Sequence, residues 1–223
     1  MNIALLGYGR MGKTIEKIAK DRGHKITLKV DKNELITLKN VDVAIDFSIP
    51  EAAVKNISTC LENQTPVVSG TTGWLNHYDE MTDLCKKQKG AFLYASNFSV
   101  GVNIFFELNK QLAKMMQHIE GYNVSMEEIH HIHKLDAPSG TAITLAEGII
   151  ANSAKKGWIL DEQLDEKITI NSVREGEVPG THRIDYKSSI DQITIEHEAH
   201  SREGFALGAV IAAEWIQKKN RGF

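Results

Sequence analysis

Residues 2–23 read NIALLGYGRMGKTIEKIAKDRG, and this stretch decides the fold of the first part of the chain. Its mostly apolar start, residues 2–6, predicts a buried strand, and residues 10–23 predict a helix that ends near Gly23. Between them Gly7-Tyr8-Gly9-Arg10-Met11-Gly12 fits the pattern G-x-G-x-x-G. Glycines there permit a tight turn and close approach of a pyrophosphate, while the helix N-terminus attracts phosphate. The stretch therefore predicts a dinucleotide-binding strand–loop–helix unit.

An acidic residue follows the second predicted strand, KITLKV. Asp31 lies nineteen positions after Gly12. A carboxylate there bonds the adenosine ribose hydroxyls and repels a 2′-phosphate, which favours NADH. The neighbouring Lys32 attracts such a phosphate, so both NADH and NADPH remain open as cofactors. An exposed Asp-Lys-Asn turn is the competing interpretation.

The alternation of strands and helices continues to residue 97. Strands are predicted over 41–48, 65–70 and 91–96, and helices over 50–64 and 75–89. This order favours a parallel sheet covered on both faces. Only about ten residues separate the second and third strands, fewer than a usual crossover. We therefore expect a turn or a stub at residues 31–40.

Two loops at the same predicted sheet edge are candidates for the nicotinamide end of the cofactor. Ligands of open α/β sheets bind beyond the carboxyl ends of the strands. The first loop contains Gly70, Thr71 and Thr72, and a plain tight turn is an equally good interpretation of it. The second contains Ala95, Ser96, Asn97 and Phe98, and leads into the second part of the chain.

The second part has a different pattern. A helix is predicted over 103–117, with Ile104, Phe105, Leu108, Leu112 and Met115 on one side. A strand over 123–130, a helix over 140–156 and three strands over 167–199 follow, before a closing helix over 204–219. The fold class is thus α/β. We expect a Rossmann-like parallel-sheet domain from residues 1–97 with 204–223, and an α+β domain with a mixed or antiparallel sheet from residues 98–203.

The overall composition limits the partners. With 26 basic and 29 acidic residues the net charge is −3, which gives no electrostatic reason to expect nucleic acid or an anionic membrane. Cys60 and Cys85 have no CxxC spacing and are expected to be reduced thiols. Met1 leads directly into a strand, and no apolar run approaches the ~18 residues of a membrane span. The expected location is the cytoplasm.

A cluster of basic side chains follows the strand at 123–130. His130, His131, His133 and Lys134 lie within five positions. Neighbours on an extended strand point to opposite faces and the spacing lacks CxxC or HxxxH, so no metal is predicted. His130 and Lys134 suit proton transfer if the chain leaves the strand here. Inert surface histidines and a surface lysine are the ordinary alternative.

The residues after the cluster, DAPSGT, look like the start of a helix. Asp136 and Ser139 are candidate caps, and the N–H groups of Gly140 and Thr141 would bind a carboxylate. Lys134 and His131 would add positive charge and donors beside them. A simple capped helix is the alternative. Ser139 lacks the G-x-S-x-G elbow of a hydrolase.

Six motifs together resemble one family. They are GYGRMG, GTTG, SNFSVGVN, EEIHHIHKLDAPSGTA, SVREGEVPGTHR and SREGFALGAVIAAEW. In this order they resemble the bacterial dihydrodipicolinate reductases, which reduce 4-hydroxy-tetrahydrodipicolinate on the diaminopimelate route to lysine. The histidine motif carries most of the resemblance, since many dehydrogenases share the glycine loop. This chain is shorter than typical members, chiefly after Asp31 and around the helix after Thr141.

The resemblance implies a role for each matching position. His130 would be the acid/base, Lys134 the proton donor, and His131 with Gly140 and Thr141 the contacts to the carboxylates of a small dicarboxylate substrate. The cofactor, NADH or NADPH, would contact three groups of residues: the glycine loop 7–12, Asp31, and the loops 70–72 and 95–98. The family also implies a homotetramer assembled through the second domain. Another two-domain dehydrogenase and a non-catalytic NAD-binding regulator are the competing hypotheses.

Overall fold

The structure is a computed structural model that describes residues 1–31 and 34–218. The chain divides into two compact units. The first comprises Met1–Ser99 together with the segment from Arg202 onward, and the second comprises Val100–Ser201. From the sequence we expected the boundaries two residues away, between residues 97 and 98 and between residues 203 and 204.

Ten strands and six α-helices follow one another along the described chain. They are β1 Asn2–Leu6, α1 Arg10–Asp21, β2 Lys25–Val30, β3 Val43–Asp46, α2 Pro50–Glu62, β4 Val67–Ser69, α3 Tyr78–Gln88, β5 Phe92–Tyr94, α4 Val100–Met116, β6 Asn123–His130, α5 Gly140–Ile150, β7 Gly157–Leu160, β8 Lys167–Arg174, β9 Thr181–Lys187, β10 Gln192–Glu198 and α6 Glu203–Lys218.

The first unit is built on a parallel five-stranded sheet in the order β2-β1-β3-β4-β5. Ile3 and Leu5 of β1 face one apolar cluster, with α1 and α6, whereas Ala4 and Leu6 face a second, with α2 and α3. Helices on both faces explain why the strands are short apolar runs. The Rossmann-like architecture is confirmed. The strand order reverses between β1 and β3, where such sheets bind ligands.

The crossover between β2 and β3 is reduced, as predicted. The described residues between Val30 and Val43 form no helix, and a turn at Lys39–Asn40 leads into β3.

Cys60 and Cys85 are buried free thiols. Among the described helices none is long and apolar enough to cross a membrane.

The second unit contains a mixed sheet in the order β10-β9-β6-β8-β7. β6 at its centre pairs antiparallel with β9 and parallel with β8. Alternate residues of β6 are buried, ending with Glu128 and His130. Because strand side chains alternate between faces, these two polar groups share the face that also buries Val124 and Met126.

Three of the five apolar residues that the sequence places on one side of α4 are exposed in the structure. Ile104, Leu108 and Met115 are 63%, 50% and 74% exposed. The helix instead buries Phe105 and its helical neighbours at 102, 109 and 113. Apolar residues surround more than half of this helix, so periodicity alone does not select the side that packs against the sheet.

Candidate active site

The glycine loop between β1 and α1 is closely packed on one side and open on the other. Gly7 has φ +92°, and a Cβ there would lie 2.2 Å from the carbonyl oxygen of Phe47. A Cβ on Gly12 would lie 2.4 Å from the carbonyl oxygen of Gly7. A Cβ on Gly9 would meet nothing within 4 Å. Two glycines therefore permit backbone packing, and Gly9 leaves space for a ligand.

A cavity of about 460 Å³ opens beside this loop, at the point where the strand order reverses. Gly7, Tyr8, Gly9 and Asp31 line it, together with the segment after β3. The structure thus places the predicted ribose contact beside the predicted pyrophosphate loop. Arg10 is exposed and Met11 packs against the core. Lys32 lies outside the described residues. The glycine cradle and the cavity fit a dinucleotide.

A buried carboxylate that the sequence reasoning missed organises this edge of the sheet. Asp46, at the end of β3, is fully buried. Its Oδ1 accepts hydrogen bonds from Ser48 and Asn56 at 2.7 and 2.9 Å. Its Oδ2 accepts from the hydroxyls of Ser69 and Thr71, both at 2.8 Å. Burial raises the pKa of Asp46, although these four donors oppose the shift. The network fixes the loop that contains Gly70–Thr72.

Phe47 connects the two nicotinamide-side candidates with the glycine loop. A Cβ on Gly70 would lie 2.3 Å from its ring, and the ring of buried Phe98 lies 5.7 Å away. Asn97 accepts a hydrogen bond from the N–H of Ser99 at 2.9 Å. Ala95 is half-buried, whereas Thr72 and Ser96 are exposed. Gly70 and Phe98 therefore lie against the ring of Phe47, and Gly7 lies against its backbone.

The histidine cluster does not continue along the strand. β6 ends at His130, and the N–H of Lys134 donates to the carbonyl of His131 at 3.1 Å in a turn. Strand alternation therefore does not set the directions of His131 and His133. His131 is half-buried, and His133 is exposed with its Nε2 3.3 Å from Glu177.

Glu128 was also missed, and it is the most connected group of this site. Its carboxylate is fully buried. Both oxygens accept from the N–H of Ser139, at 3.1 and 3.0 Å. The Ser172 hydroxyl donates to Oε1 at 2.5 Å, and the Arg174 guanidinium lies 3.4 Å from it. Facing Oε2 are His130 Nδ1 at 3.5 Å and His182 Nε2 at 3.8 Å.

Burial keeps the two imidazoles neutral near pH 7. It lowers the pKa of His130, and the Lys134 and Arg174 cations act in the same direction, while Glu128 opposes them. Burial also lowers the pKa of His182 to about 3. For Glu128, burial acts to raise the pKa, but the donors from Ser139 and Ser172 and the nearby His130 outweigh it. The site therefore holds one carboxylate and two neutral imidazoles.

Glu128, His130 and His182 bring three possible metal-ligand atoms within 4.8 Å of one another. Both carboxylate oxygens already accept hydrogen bonds, and the Arg174 cation lies beside them. A metal ion would have to displace these donors and approach a guanidinium. The chemistry of the donor set therefore favours a hydrogen-bonded network over a metal centre.

The loop after His130 is held by two cations. Lys134 Nζ donates to both oxygens of Asp136 at 2.8 and 2.7 Å. Burial acts to raise the pKa of Asp136, but this ammonium brings it below its usual range. Arg174 donates to the backbone carbonyls of Lys134 and Asp136 at 3.3 and 2.6 Å. β8 thus fixes the segment that carries Lys134.

The start of α5 has the capped form that the sequence predicted. Ser139 is the N-cap and accepts from the N–H of Ala142 at 3.1 Å. Gly140 is exposed and Thr141 is half-buried in the first turn. Of the two candidate caps, Ser139 is confirmed, while Asp136 instead pairs with Lys134. The helix start is tied to Glu128 and hence lies near His130.

Two family models match this chain. The model described as dihydrodipicolinate reductase, N-terminus, matches residues 1–98, and the model for the C-terminus matches residues 101–223. The chain belongs to the dihydrodipicolinate reductase family. A curated 4-hydroxy-tetrahydrodipicolinate reductase of Christiangramia forsetii is 60% identical over 98% of this chain and 93% of that protein. The one of Rickettsia rickettsii is 38% identical over 98% of this chain and 94% of that protein.

Solved structures share the fold of this family member. A dipicolinate-bound dihydrodipicolinate reductase from Paenisporosarcina sp. TG-14 matches with a TM-score of 0.77 at 22% identity, covering 99% of this chain and 96% of that one. A protein from gentamicin A biosynthesis in complex with NAD matches with a TM-score of 0.64 at 10% identity, covering 100% of this chain and 88% of that one. At these identities the likeness concerns the fold alone.

Proposed function

We propose that this chain reduces 4-hydroxy-tetrahydrodipicolinate with a nicotinamide cofactor on the diaminopimelate route to lysine. Family membership over both units supports this reaction. The observation that carries it is the arrangement around Glu128 of the buried imidazole of His130, the loop of Lys134 and the capped start of α5. This arrangement supplies proton transfer beside an anion site.

The proposed chemistry divides between cofactor and protein. When bound, the nicotinamide supplies the hydride, and the protein supplies orientation, charge and the proton. Gly7–Gly12 would hold the pyrophosphate, and the loops 70–72 and 95–98 the nicotinamide side. His130 acts as the acid/base and Lys134 as the proton donor to the carbon next to the reduced position. Because burial lowers the pKa of His130, its imidazole is neutral at pH 7 and able to accept a proton.

The substrate's negative charge accounts for the rest of the site. His131, Gly140 and Thr141 are proposed to bind its carboxylates. A helix N-terminus offers N–H donors and partial positive charge to such a group. In this assignment Lys134 leaves Asp136 as the substrate enters, since the same ammonium serves both partners. The two carboxylates of the substrate explain why basic side chains cluster at this site in a protein whose net charge is slightly negative.

A coupled assay tests the proposal. The substrate is made in situ, and the loss of NADH or NADPH absorbance is followed with this chain as the limiting component. Substrate-dependent oxidation is expected. Oxidation with amino-acid or sugar substrates instead would indicate another dehydrogenase, and cofactor binding without turnover would indicate a regulator.

We expect NADH to be preferred over NADPH because carboxylates dominate the ribose end of the cavity. Among the residues that the structure describes, Asp31, Glu34 and Glu51 line it together with one cation, Lys55. In Asp31→Ala the ratio of kcat/KM for NADPH to that for NADH should rise about tenfold, or ~1.4 kcal/mol. Asp21→Ala, at the end of α1 and away from the cavity, is the matched control. Equal ratios in the wild type and both variants would contradict the assignment to Asp31.

We also propose a cytoplasmic homotetramer assembled through the sheet of the second unit. Val173 and Ile193 on this sheet remain partly exposed in the single chain, which suits a buried subunit interface. We expect light scattering at assay concentrations to give four times the 24.8 kDa chain mass. A monomer under those conditions would contradict this proposal.

A further inference from the structure

The buried carboxylate of Glu128 contacts each part of the candidate proton-transfer site. It faces His130 directly, bonds the N–H that precedes α5, and pairs with the arginine that holds the Lys134 loop. A fully buried carboxylate is costly unless it is hydrogen-bonded, and here three donors make four hydrogen bonds to the two oxygens. Such a group is not explained by stability alone, because an apolar side chain would also fill this space.

We propose that Glu128 is the positioning residue of this reductase, holding His130 with Nδ1–H toward the carboxylate and leaving Nε2 for proton transfer. The inference rests on the proposed role of His130. A carboxylate behind an imidazole fixes its tautomer and orientation in many sites. The Nδ1–Oε2 distance of 3.5 Å is longer than an ordinary hydrogen bond, and such contacts often tighten when ligand binds.

The space around His130 Nε2 agrees with this orientation. Gly180, at φ +151°, lies against the ring, and a Cβ there would be 3.0 Å from Nε2. A side chain at this position, just before β9, would therefore crowd Nε2. Nδ1 is buried, and Glu128 is the acidic group that it faces. The two ring nitrogens therefore have different surroundings.

The carboxylate of Glu128 also affects the pKa of the His130 imidazole. The charged or titratable groups that face His130 come from β6, the following loop, β8 and β9: Glu128, Lys134, Asp136, Arg174 and His182. Among them Glu128 is the principal group that raises the pKa of His130, against burial and the two cations. Removing its charge lowers that pKa further. The acid limb of kcat/KM, which reports protonation of the free enzyme, then moves to lower pH.

The test compares Glu128→Gln with Glu128→Asp in the full chain. In Glu128→Gln we expect kcat to fall at least tenfold and the acid limb to move to lower pH. Glu128→Asp keeps the charge but withdraws it by about one C–C bond, ~1.5 Å. Its kcat should fall while the acid limb stays near the wild-type position. A merely structural role would lower thermal stability in both variants without separating the two pH profiles.

Glu127→Gln is the matched control, since Glu127 lies on the opposite face of β6 and pairs with Arg183 at 3.6 Å. Its kcat and pH profile should be those of the wild type. NADH affinity should be retained in every variant because the cofactor contacts lie in the other unit. If Glu128→Gln does not fold, Glu128→Asp decides the matter, and a wild-type kcat there overturns the proposal.

The outcomes also distinguish the role of Glu128 from the proposed role of His130, on which it rests. Wild-type turnover in His130→Gln would refute the assignment of His130, and the role of Glu128 with it. Lost turnover in His130→Gln, with unchanged kcat and pH profile in both Glu128 variants, would refute the positioning role alone.

Discussion

His130→Gln should lower kcat by a factor of about 10²–10⁴, the usual contribution of a positioned acid/base. Glutamine is similar in size to histidine and fills the buried position at the end of β6, but it does not exchange protons near neutral pH. Cofactor affinity should be unchanged, because the proposed contacts to NADH lie in the first unit. Steady-state oxidation of NADH measures the first quantity, and a fluorescence titration with NADH measures the second.

His133→Gln is the matched control for this variant. His133 lies three positions further along, is exposed, and faces Glu177 rather than the Glu128 network. Its kcat should stay within about twofold of the wild type, as expected of a surface substitution. An equal loss of kcat in the two variants would contradict the assignment of proton transfer to His130, because substitution anywhere in this segment would then have the same effect.

The parts of the fold that depend on local pattern were predictable. The strand, glycine loop and helix of residues 2–23 follow from apolar runs and glycine spacing, and Ser139 follows from capping chemistry. The shortened segment after Asp31 followed from counting residues. The packed side of α4 did not, because the exposed Ile104 and Leu108 are more apolar than Asn109, which is buried. The side of α4 that is buried depends on the surface against which the helix packs, and the helix sequence alone does not show it.

The partners of the site depend on long-range pairing. Ser172 and Arg174 reach Glu128 because β8 lies parallel to β6, which brings together residues more than forty positions apart. No local pattern sets that register. A signal for Glu128 was nevertheless present: it lies two positions before His130 on a strand with Met126 facing inward. Asp46 is similar, as an acid that ends an otherwise apolar strand.

Gly7→Ala should strongly destabilise the first unit. A residue with a Cβ costs about 1–2 kcal/mol at a left-handed backbone conformation, and Gly7 has φ +92°. The added carbon would also lie 2.2 Å from the Phe47 carbonyl oxygen, so the backbone of the loop or of the β3 end must move. Overpacking of this kind adds about 1–3 kcal/mol. Thermal and denaturant unfolding should show a loss of at least ~2 kcal/mol, together with lost NADH binding.

Two other glycines separate the causes of that loss. Gly23 has φ +81° but open space around its Cβ position, so Gly23→Ala should cost only the ~1 kcal/mol of backbone strain and leave NADH affinity intact. Gly9 has ordinary φ and open space, so Gly9→Ala should retain stability and yet weaken NADH, because its methyl group would occupy the ligand's side of the loop. If Gly9→Ala binds NADH as the wild type does, the pyrophosphate does not lie on this loop. If Gly7→Ala and Gly23→Ala lose equal stability, close packing against Phe47 is not what requires glycine at position 7.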